Sequence, residues 1–151
     1  MAVNEARKKS MAGRIAKALG GSVSGKTVAL LGLTFKPNTD DMCDSASLDI
    51  VPALLKDGAK VQVFDPEGMN EAKKLLTGPI GWCKSAAEAM TGADALVIVT
   101  EWNEFRSLNL KEVKRLLRQP IIVDLRNVYS PAEMTAAGFQ YTCLGRPSNA
   151  I

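Results

Sequence analysis

Hydrophobic positions along this chain change period several times, and each change marks an element. Between Asn4 and Leu19, the apolar residues Val3, Met11, Ile15, Ala18 and Leu19 recur at helical spacing, and Gly20-Gly21 follows as a stop signal. This predicts an amphipathic N-terminal stem helix. Thr27-Val-Ala-Leu-Leu-Gly-Leu33 is then continuously apolar, as parallel strands buried on both faces are. A polar loop spans Thr34 to Asp44, and Ser45 and Ser47 read as caps of a helix through Leu48, Val51, Leu54 and Leu55 to Gly58. Lys60-Val-Gln-Val-Phe64 predicts a second strand closed by Asp65-Pro66. Further strands are expected over Ile80–Cys83, Ala95–Thr100, Ile121–Leu125 and, at an edge, Phe139–Thr142. Helices are expected over Asn70–Leu76, Ser85–Met90, Leu110–Leu117 and Pro131–Ala137.

Short apolar strands alternating with short helices predict an α/β fold: a three-layer, doubly wound parallel sheet of Rossmann-like type. The chain divides into the stem helix, residues 1–20, and a body spanning 26–147. Ligands of such sheets lie beyond the carboxyl ends of the strands. The positions to watch are therefore Thr34 to Asp41, Asp65, Thr100 to Trp102, and Arg126-Asn127.

Composition narrows the chemistry. The 151 residues are 46% hydrophobic and 23% charged, enough for one ordered core without staples. The longest aliphatic run, Ala95 to Val99, falls far short of the roughly 20 residues of a membrane span, and the opening residues carry no apolar leader region. A cytoplasmic protein with no membrane partner is expected. Histidine is absent, which excludes His-based triads and Cys/His metal sites, and no metal site is expected. Cys43, Cys83 and Cys143 are too widely spaced for a Cys-x-x-Cys pair and read as reduced thiols. Residues 1–26 hold six basic side chains against Glu5, while the rest holds 13 basic and 15 acidic ones. No aromatic residue is interleaved with the basic ones, so they read as a solvated helix face and no nucleic-acid partner is expected.

Three motif readings fail on context. Gly20-Gly-Ser-Val-Ser-Gly25-Lys26-Thr27 matches the phosphate-loop pattern of nucleotide hydrolases. That loop needs a strand before it and a helix after it, and here the order is reversed. A dinucleotide fingerprint needs three glycines after the first strand, where this chain has Gly32 alone. Asp65 stands where an acid grips ribose in such folds, although an Asp before Pro also serves simply as a turn residue. A phosphorylated receiver could recruit Asp40, Asp41 and Thr100, but no Asp ends the strand Ile80–Cys83 and Arg126 stands where Lys is needed. There remains the loop from Gly32 to Ser45. Lys36 puts a cation, and Phe35 an aromatic face, at a strand's carboxyl end, and Arg126 can converge on the same crevice. The residues alone leave two readings open: an anionic-nucleotide crevice, or a surface loop with incidental charges.

Gly32-Leu-Thr-Phe-Lys-Pro-Asn-Thr-Asp-Asp-Met resembles the signature of the C-terminal domain of the UDP-glucose/GDP-mannose dehydrogenase family. Val63-Phe-Asp-Pro66, Thr100-Glu-Trp102 with Phe105, and Ile122-Val-Asp-Leu-Arg-Asn127 extend the likeness, which runs from Val3-Asn4 to about Pro147. The resemblance implies a nucleotide-sugar-binding domain of an NAD-dependent oxidoreductase that converts a sugar's primary alcohol to a carboxylate. UDP-glucose going to UDP-glucuronate, for polysaccharide biosynthesis, is the expected reaction. GDP-mannose or a UDP-N-acetylhexosamine as substrate, or a purely structural assembly domain, are the alternatives. The family's glycine motif for NAD and its Gly-Gly-Ser-Cys nucleophile have no counterpart here. NAD is therefore expected on a missing N-terminal domain, no catalytic residue is expected in this chain, and the chain alone is expected to be inactive. Residues 1–20 then resemble the end of an interdomain helix that packs on that domain or on a second subunit of a homodimer. Phe35 and Lys36 fall on substrate-contacting positions, Arg126 falls near one, and Thr100 and Trp102 are expected to line the crevice. Cys43 stands where the family has an Arg that reaches toward NAD, and a thiol removes that phosphate-binding charge. Ala46 stands where Pro is usual at the helix start.

Overall fold

The computed structural model describes residues 11–43 and 45–143. Six strands form one parallel sheet: β1 (Thr27–Leu31), β2 (Lys60–Phe64), β3 (Ile80–Trp82), β4 (Ala95–Ile98), β5 (Ile121–Asp124) and β6 (Gln140–Cys143). Their spatial order is β3-β2-β1-β4-β5-β6, so the chain reverses its direction of travel across the sheet between β1 and β4. Leu31 pairs with both Phe64 and Ile98, and Ile98 pairs with Asp124, which brings four strand ends out level. This is the Rossmann-like arrangement, with its ligand crevice at the reversal point.

The helices are α1 (residues 11–18), α2 (Ser47–Lys56), α3 (Met69–Leu75), α4 (Ala86–Met90), α5 (Asn103–Arg106), α6 (Leu110–Leu116) and α7 (Pro131–Ala136). Side chains alternate across the sheet, and both faces are covered. Val28, Leu30, Val61, Val63 and Val97 pack with Ile50, Val51 and Leu54 of α2 and Ala72 of α3. On the opposite face, Ala29, Leu31, Leu96 and Ile98 pack with Met90 of α4, Phe105 of α5, Val113 of α6 and Met134 of α7. Burial on two sides explains why β4 and β5 read as unbroken apolar runs: every residue in each is buried.

The end of the stem helix belongs to this core. Ile15 is fully buried in the first cluster, with Met11, Ala16, Ala18 and Leu19 packed against it. Within the chain Ile15 is covered completely, while Met11, Ala16, Ala18 and Leu19 stay half-buried; Val3 lies outside the described residues. α1 ends where Gly21 donates its N–H to the Ala16 carbonyl at 2.8 Å, and Gly20 and Gly21 both take positive φ. The phosphate-loop look-alike therefore follows a helix C-terminus and runs into the amino end of β1, at the edge of the sheet remote from the crevice. Among the described residues, no helix is long and apolar enough to cross a membrane.

Three elements differ from expectation. β1 stops at Leu31 because Gly32 turns the chain at φ +96°. α5 is a single turn with no capping side chain, so neither periodicity nor a cap announces it. At the start of α2 the N-cap position is Ala46, without a side-chain bond; Ser45 Oγ accepts the N–H of Ser47, the first helical residue, at 3.2 Å, Ser47 does not cap, and both hydroxyls donate to the Leu33 carbonyl beyond β1.

At the amino edge, Asp94 accepts from the Thr27 N–H at 2.9 Å and from the Gln119 amide at 3.2 Å, with Arg118 at 4.0 Å. Burial pushes its carboxyl up. The Thr27 and Gln119 bonds and the nearby Arg118 and Lys26 charges outweigh burial and hold it below the usual carboxylate range. A lowered folded value stabilises the fold above the unfolded pKa of about 4, and that stability is lost as pH falls through the lowered value. We expect Asp94→Asn to cost about 1–2 kcal/mol at pH 7, with the gap to wild type shrinking below about pH 4. Urea midpoints from pH 7 to pH 3 measure it; a gap that stays constant with pH counts against the assignment.

Candidate functional site

The crevice is built on Gly32. A Cβ at this position would lie 2.5 Å from both Cβ and N of Thr100, so only glycine lets the β1 end pass β4 this closely. Its N–H donates to the Phe64 carbonyl at 2.8 Å, extending the β1–β2 pairing by one residue. The next two residues are captured by Asp65, at the end of β2. Its Oδ2 accepts from Leu33 N–H (2.7 Å), Thr34 N–H (3.1 Å) and the Trp102 indole (3.2 Å). Its Oδ1 accepts from Glu67 N–H (2.9 Å) and Gly68 N–H (2.7 Å). The Thr34 hydroxyl lies within bonding distance of both Asp65 and the Lys36 carbonyl. Only 1% of Asp65 is exposed.

Beyond Thr34 the loop closes on itself. Phe35 donates its N–H to Asp41 O at 2.9 Å, Asn38 makes the turn at φ 64°, and Thr39 Oγ1 and Asp41 Oδ1 accept from Asp41 and Cys43 N–H groups. This leaves Phe35 45% exposed and Lys36 exposed, both at the carboxyl end of β1. Ala46 enters α2 at φ −60°, the value a proline would impose, so the helix start keeps its geometry without the proline.

The β4 and β5 ends supply the other wall. Thr100 is fully buried and donates its hydroxyl to Thr34 O at 2.7 Å. Trp102 lines an open cleft of about 570 Å³ together with Asn38, Thr39, Asp40 and Glu67. Arg126 makes a two-pronged pair with Glu101, Nε to Oε2 at 2.7 Å and Nη2 to Oε1 at 2.9 Å. Asp124 is buried beneath it and accepts from the N–H groups of Arg126, Val128 and Tyr129 and from the Tyr141 hydroxyl.

Of the residues expected from the sequence, Phe35 and Lys36 share the exposed loop tip, Trp102 lines the cleft, and Arg126 reaches Glu101. Thr100 stands behind the loop, with its hydroxyl already spent on Thr34. Asp65, which the sequence left between ribose ligand and turn residue, is a turn residue through Oδ1, on Glu67 and Gly68, and through Oδ2 it also clamps the loop beyond β1. A dinucleotide does not fit here in the usual mode, because the carboxylate that would hold ribose is occupied by five N–H groups. Cys43 is exposed beside Asp41, while Cys83 and Cys143 are buried. Burial and the Glu88 carboxylate push the Cys83 thiol up, away from nucleophilic character. Among the described residues, no three or more His, Cys, Asp and Glu side chains group to hold a metal.

Residues 29–131, which run from within β1 past β5 and include the whole crevice, match the family model described as "UDP-glucose/GDP-mannose dehydrogenase family, UDP binding domain". The chain belongs to this family. Among relatives of the family, the chain is 48% identical over 147 residues to "UDP-glucose 6-dehydrogenase" of Rhizobium meliloti, covering 97% of this chain and 33% of the relative. It is 44% identical over 128 residues to "UDP-glucose 6-dehydrogenase TuaD" of Bacillus subtilis, covering 85% and 28%. The chain thus spans about a third of the length of the curated relatives it matches. A solved UDP-glucose dehydrogenase from Pyrobaculum islandicum superposes with TM-score 0.73 at 27% identity, over 90% of this chain and 29% of that one. An NDP-N-acetyl-D-galactosaminuronic acid dehydrogenase from Methanosarcina mazei superposes with TM-score 0.76 at 28% identity, over 97% and 30%. The UDP binding domain of this family is therefore the frame in which the crevice is to be understood.

Two consequences of the crevice geometry are measurable. Gly32→Ala adds a backbone conformation that L-residues resist to a clash with a fixed strand, and should cost at least about 3 kcal/mol. Gly25→Ala has positive φ but open space around it, so it should cost only about 1 kcal/mol; thermal unfolding compares the two, and equal losses would remove the steric role of Thr100. Asp65→Asn turns an amide N–H toward buried donors, with an expected loss of about 3 kcal/mol. It should also speed amide hydrogen exchange at Leu33, Thr34 and Gly68 above that of the strand centres, and unchanged exchange there would rule out the clamp.

Proposed function

We propose that the crevice holds the UDP portion of a UDP-sugar, and that the chain is the nucleotide-sugar-binding, C-terminal part of an NAD-dependent oxidoreductase converting UDP-glucose to UDP-glucuronate. Lys36 supplies charge to the diphosphate, Phe35 packs against the nucleotide, Arg126 adds hydrogen bonds, and Trp102 walls the cleft. Thr100 acts from behind by holding Thr34. The observation that carries this reading is an exposed aromatic and two cations placed beyond the strand ends of a domain whose family model describes UDP binding. The 48% identity to a UDP-glucose 6-dehydrogenase favours glucose as the sugar; the fit to the Methanosarcina enzyme supports a UDP-N-acetylhexosamine as the second reading.

In this assignment NAD is bound by a separate N-terminal dehydrogenase domain of the same protein, acting as a cytoplasmic homodimer, and the oxidising chemistry and its nucleophile reside there. What this chain does is hold the substrate's nucleotide end and orient it. Cys43, where the family has Arg, brings a neutral thiol to a loop that otherwise reaches toward the cofactor.

Amide NMR titration of the chain tests the assignment. UDP-glucose should shift Phe35, Lys36, Trp102 and Arg126, and Lys36→Ala should weaken binding about tenfold, the loss of roughly 1.4 kcal/mol for one charge-assisted contact. NAD+ and ATP should leave those signals unmoved, and the chain alone should form no NADH from UDP-glucose. Shifts at Gly20–Thr27 with ATP would revive a phosphate loop, and silence with UDP-glucose would defeat the substrate reading.

A further inference from the structure

Glu101 is the residue of this crevice whose placement has no structural need behind it. It extends past β4 between two anchored neighbours: Thr100 gives its hydroxyl to Thr34, and Trp102 gives its indole N–H to Asp65. Its own side chain reaches neither the core nor the loop but crosses to Arg126, past the end of β5. Both of its oxygens are used, on Nε at 2.7 Å and Nη2 at 2.9 Å, and the pair is partly shielded, with side-chain exposures of 19% for Glu101 and 36% for Arg126. Arg126 is held at its other end too, because its N–H donates to the buried Asp124 at 3.0 Å and Asn127 turns the chain at φ 55°.

A guanidinium carries five N–H donors in one plane. Glu101 takes two of them and fixes that plane, leaving three without a partner among the described residues. Side-chain bonds link Arg126 to Glu101 and the neighbouring Thr100 to Thr34, the residue before Phe35 and Lys36. The cation beyond β5 is thereby tied to the end of β4, which also anchors the root of the loop that carries Lys36. A lone, half-shielded pair of this kind contributes modestly to stability, but at the mouth of a binding crevice it removes rotamer freedom that a ligand would otherwise have to freeze out.

We propose that Glu101 is a positioning residue that holds the plane of the Arg126 guanidinium, so that the remaining arginine N–H groups meet oxygens of the nucleotide's diphosphate in a set orientation. The role rests on the UDP-sugar reading of the crevice. It carries a specific consequence. Because Glu101 cancels the charge of Arg126, the arginine acts through direction, and Lys36 supplies the net attraction.

UDP binding by the chain, followed by calorimetry in wild type, Glu101→Ala, Glu101→Gln, Arg126→Ala and the Glu101→Ala/Arg126→Ala double variant, tests the role. Glu101→Ala should weaken binding about fivefold, and Glu101→Gln, which keeps an oxygen acceptor, should recover to within about twofold of wild type. In the Arg126→Ala background, Glu101→Ala should change affinity less than about 1.5-fold. Tighter binding in Glu101→Ala, which would make Glu101 a brake, or an equal loss in both backgrounds overturns the role. The Arg126 Nε–H resonance supplies a readout without ligand: slow exchange and a displaced shift in wild type, and solvent-like behaviour in Glu101→Ala. Absence of that signature in wild type also overturns it. If wild type shows the signature yet does not bind UDP, it is the nucleotide reading that fails, and the positioning role falls with it.

Discussion

The crevice depends on a single buried carboxylate. Asp65 takes a negative charge out of water, a transfer that costs several kcal/mol unless the charge is compensated. Here no cation compensates it; five N–H groups do, from the chain beyond β1, the turn beyond β2 and the indole beyond β4. Charge-assisted bonds of this kind are each worth about 1.5–3 kcal/mol net, enough together to hold the ion buried. The consequence is mechanical. Three segments far apart in sequence are bound to one group, so the tip carrying Phe35 and Lys36 has a fixed root, although the tip itself is exposed.

Asp124 repeats the device on the other side of the reversal point. It too ends a strand, lies fully buried and is satisfied by backbone N–H groups of the turn that follows, with the Tyr141 hydroxyl as a further donor. The two carboxylates shape the loops and leave the crevice surface to other residues. In a dinucleotide fold, the acid after β2 is spent on ligand. Here it is spent on the protein, and recognition passes to side chains on the loops that the acid organises. One strand order thus serves two binding modes, according to whether the second strand's terminal acid is free or clamped.

The periodic part of this organisation was legible in the sequence. Lys60–Phe64 has the bounds expected of it, and the other strands differ by no more than two residues at either end, because burial on both faces makes a parallel strand a continuous apolar run. What could not be read had no periodicity to carry it. The one-turn helix at Asn103–Arg106 has no cap, and Ser45 and Ser47 look like helix caps to any local rule, while their acceptor, Leu33, lies twelve and fourteen residues back. Asp65 was legible as a turn residue but not as a clamp, because the donors that reach it from the loops beyond β1 and β4 are a property of the folded chain alone. The exposed positions Phe35, Lys36 and Arg126 were legible through the strand-end rule, which needs only topology. Thr100 was legible as a position but not in its use, since nothing local shows that its hydroxyl faces inward.

The charges of the crevice limit what this domain can do by itself. Among the described residues Lys36 has no ion-pair partner, whereas Arg126 is matched by Glu101, and Asp40 and Glu67 line the adjoining cleft. A nucleoside diphosphate ester brings about two negative charges, and an exposed lysine in water offers an interaction of about 1 kcal/mol at contact distance. Such a surface cannot hold a diphosphate tightly through net charge. Its contribution must come from direction, through a guanidinium of fixed plane and a loop of fixed root, and from the apolar face of Phe35. Directional contacts gain most when water is excluded around them, since lowering the dielectric strengthens each hydrogen bond. A rooted loop with an exposed aromatic tip and a pre-aimed arginine therefore works best as one wall of a closed site, in which a facing surface removes the water and the charge balance is completed from outside this domain.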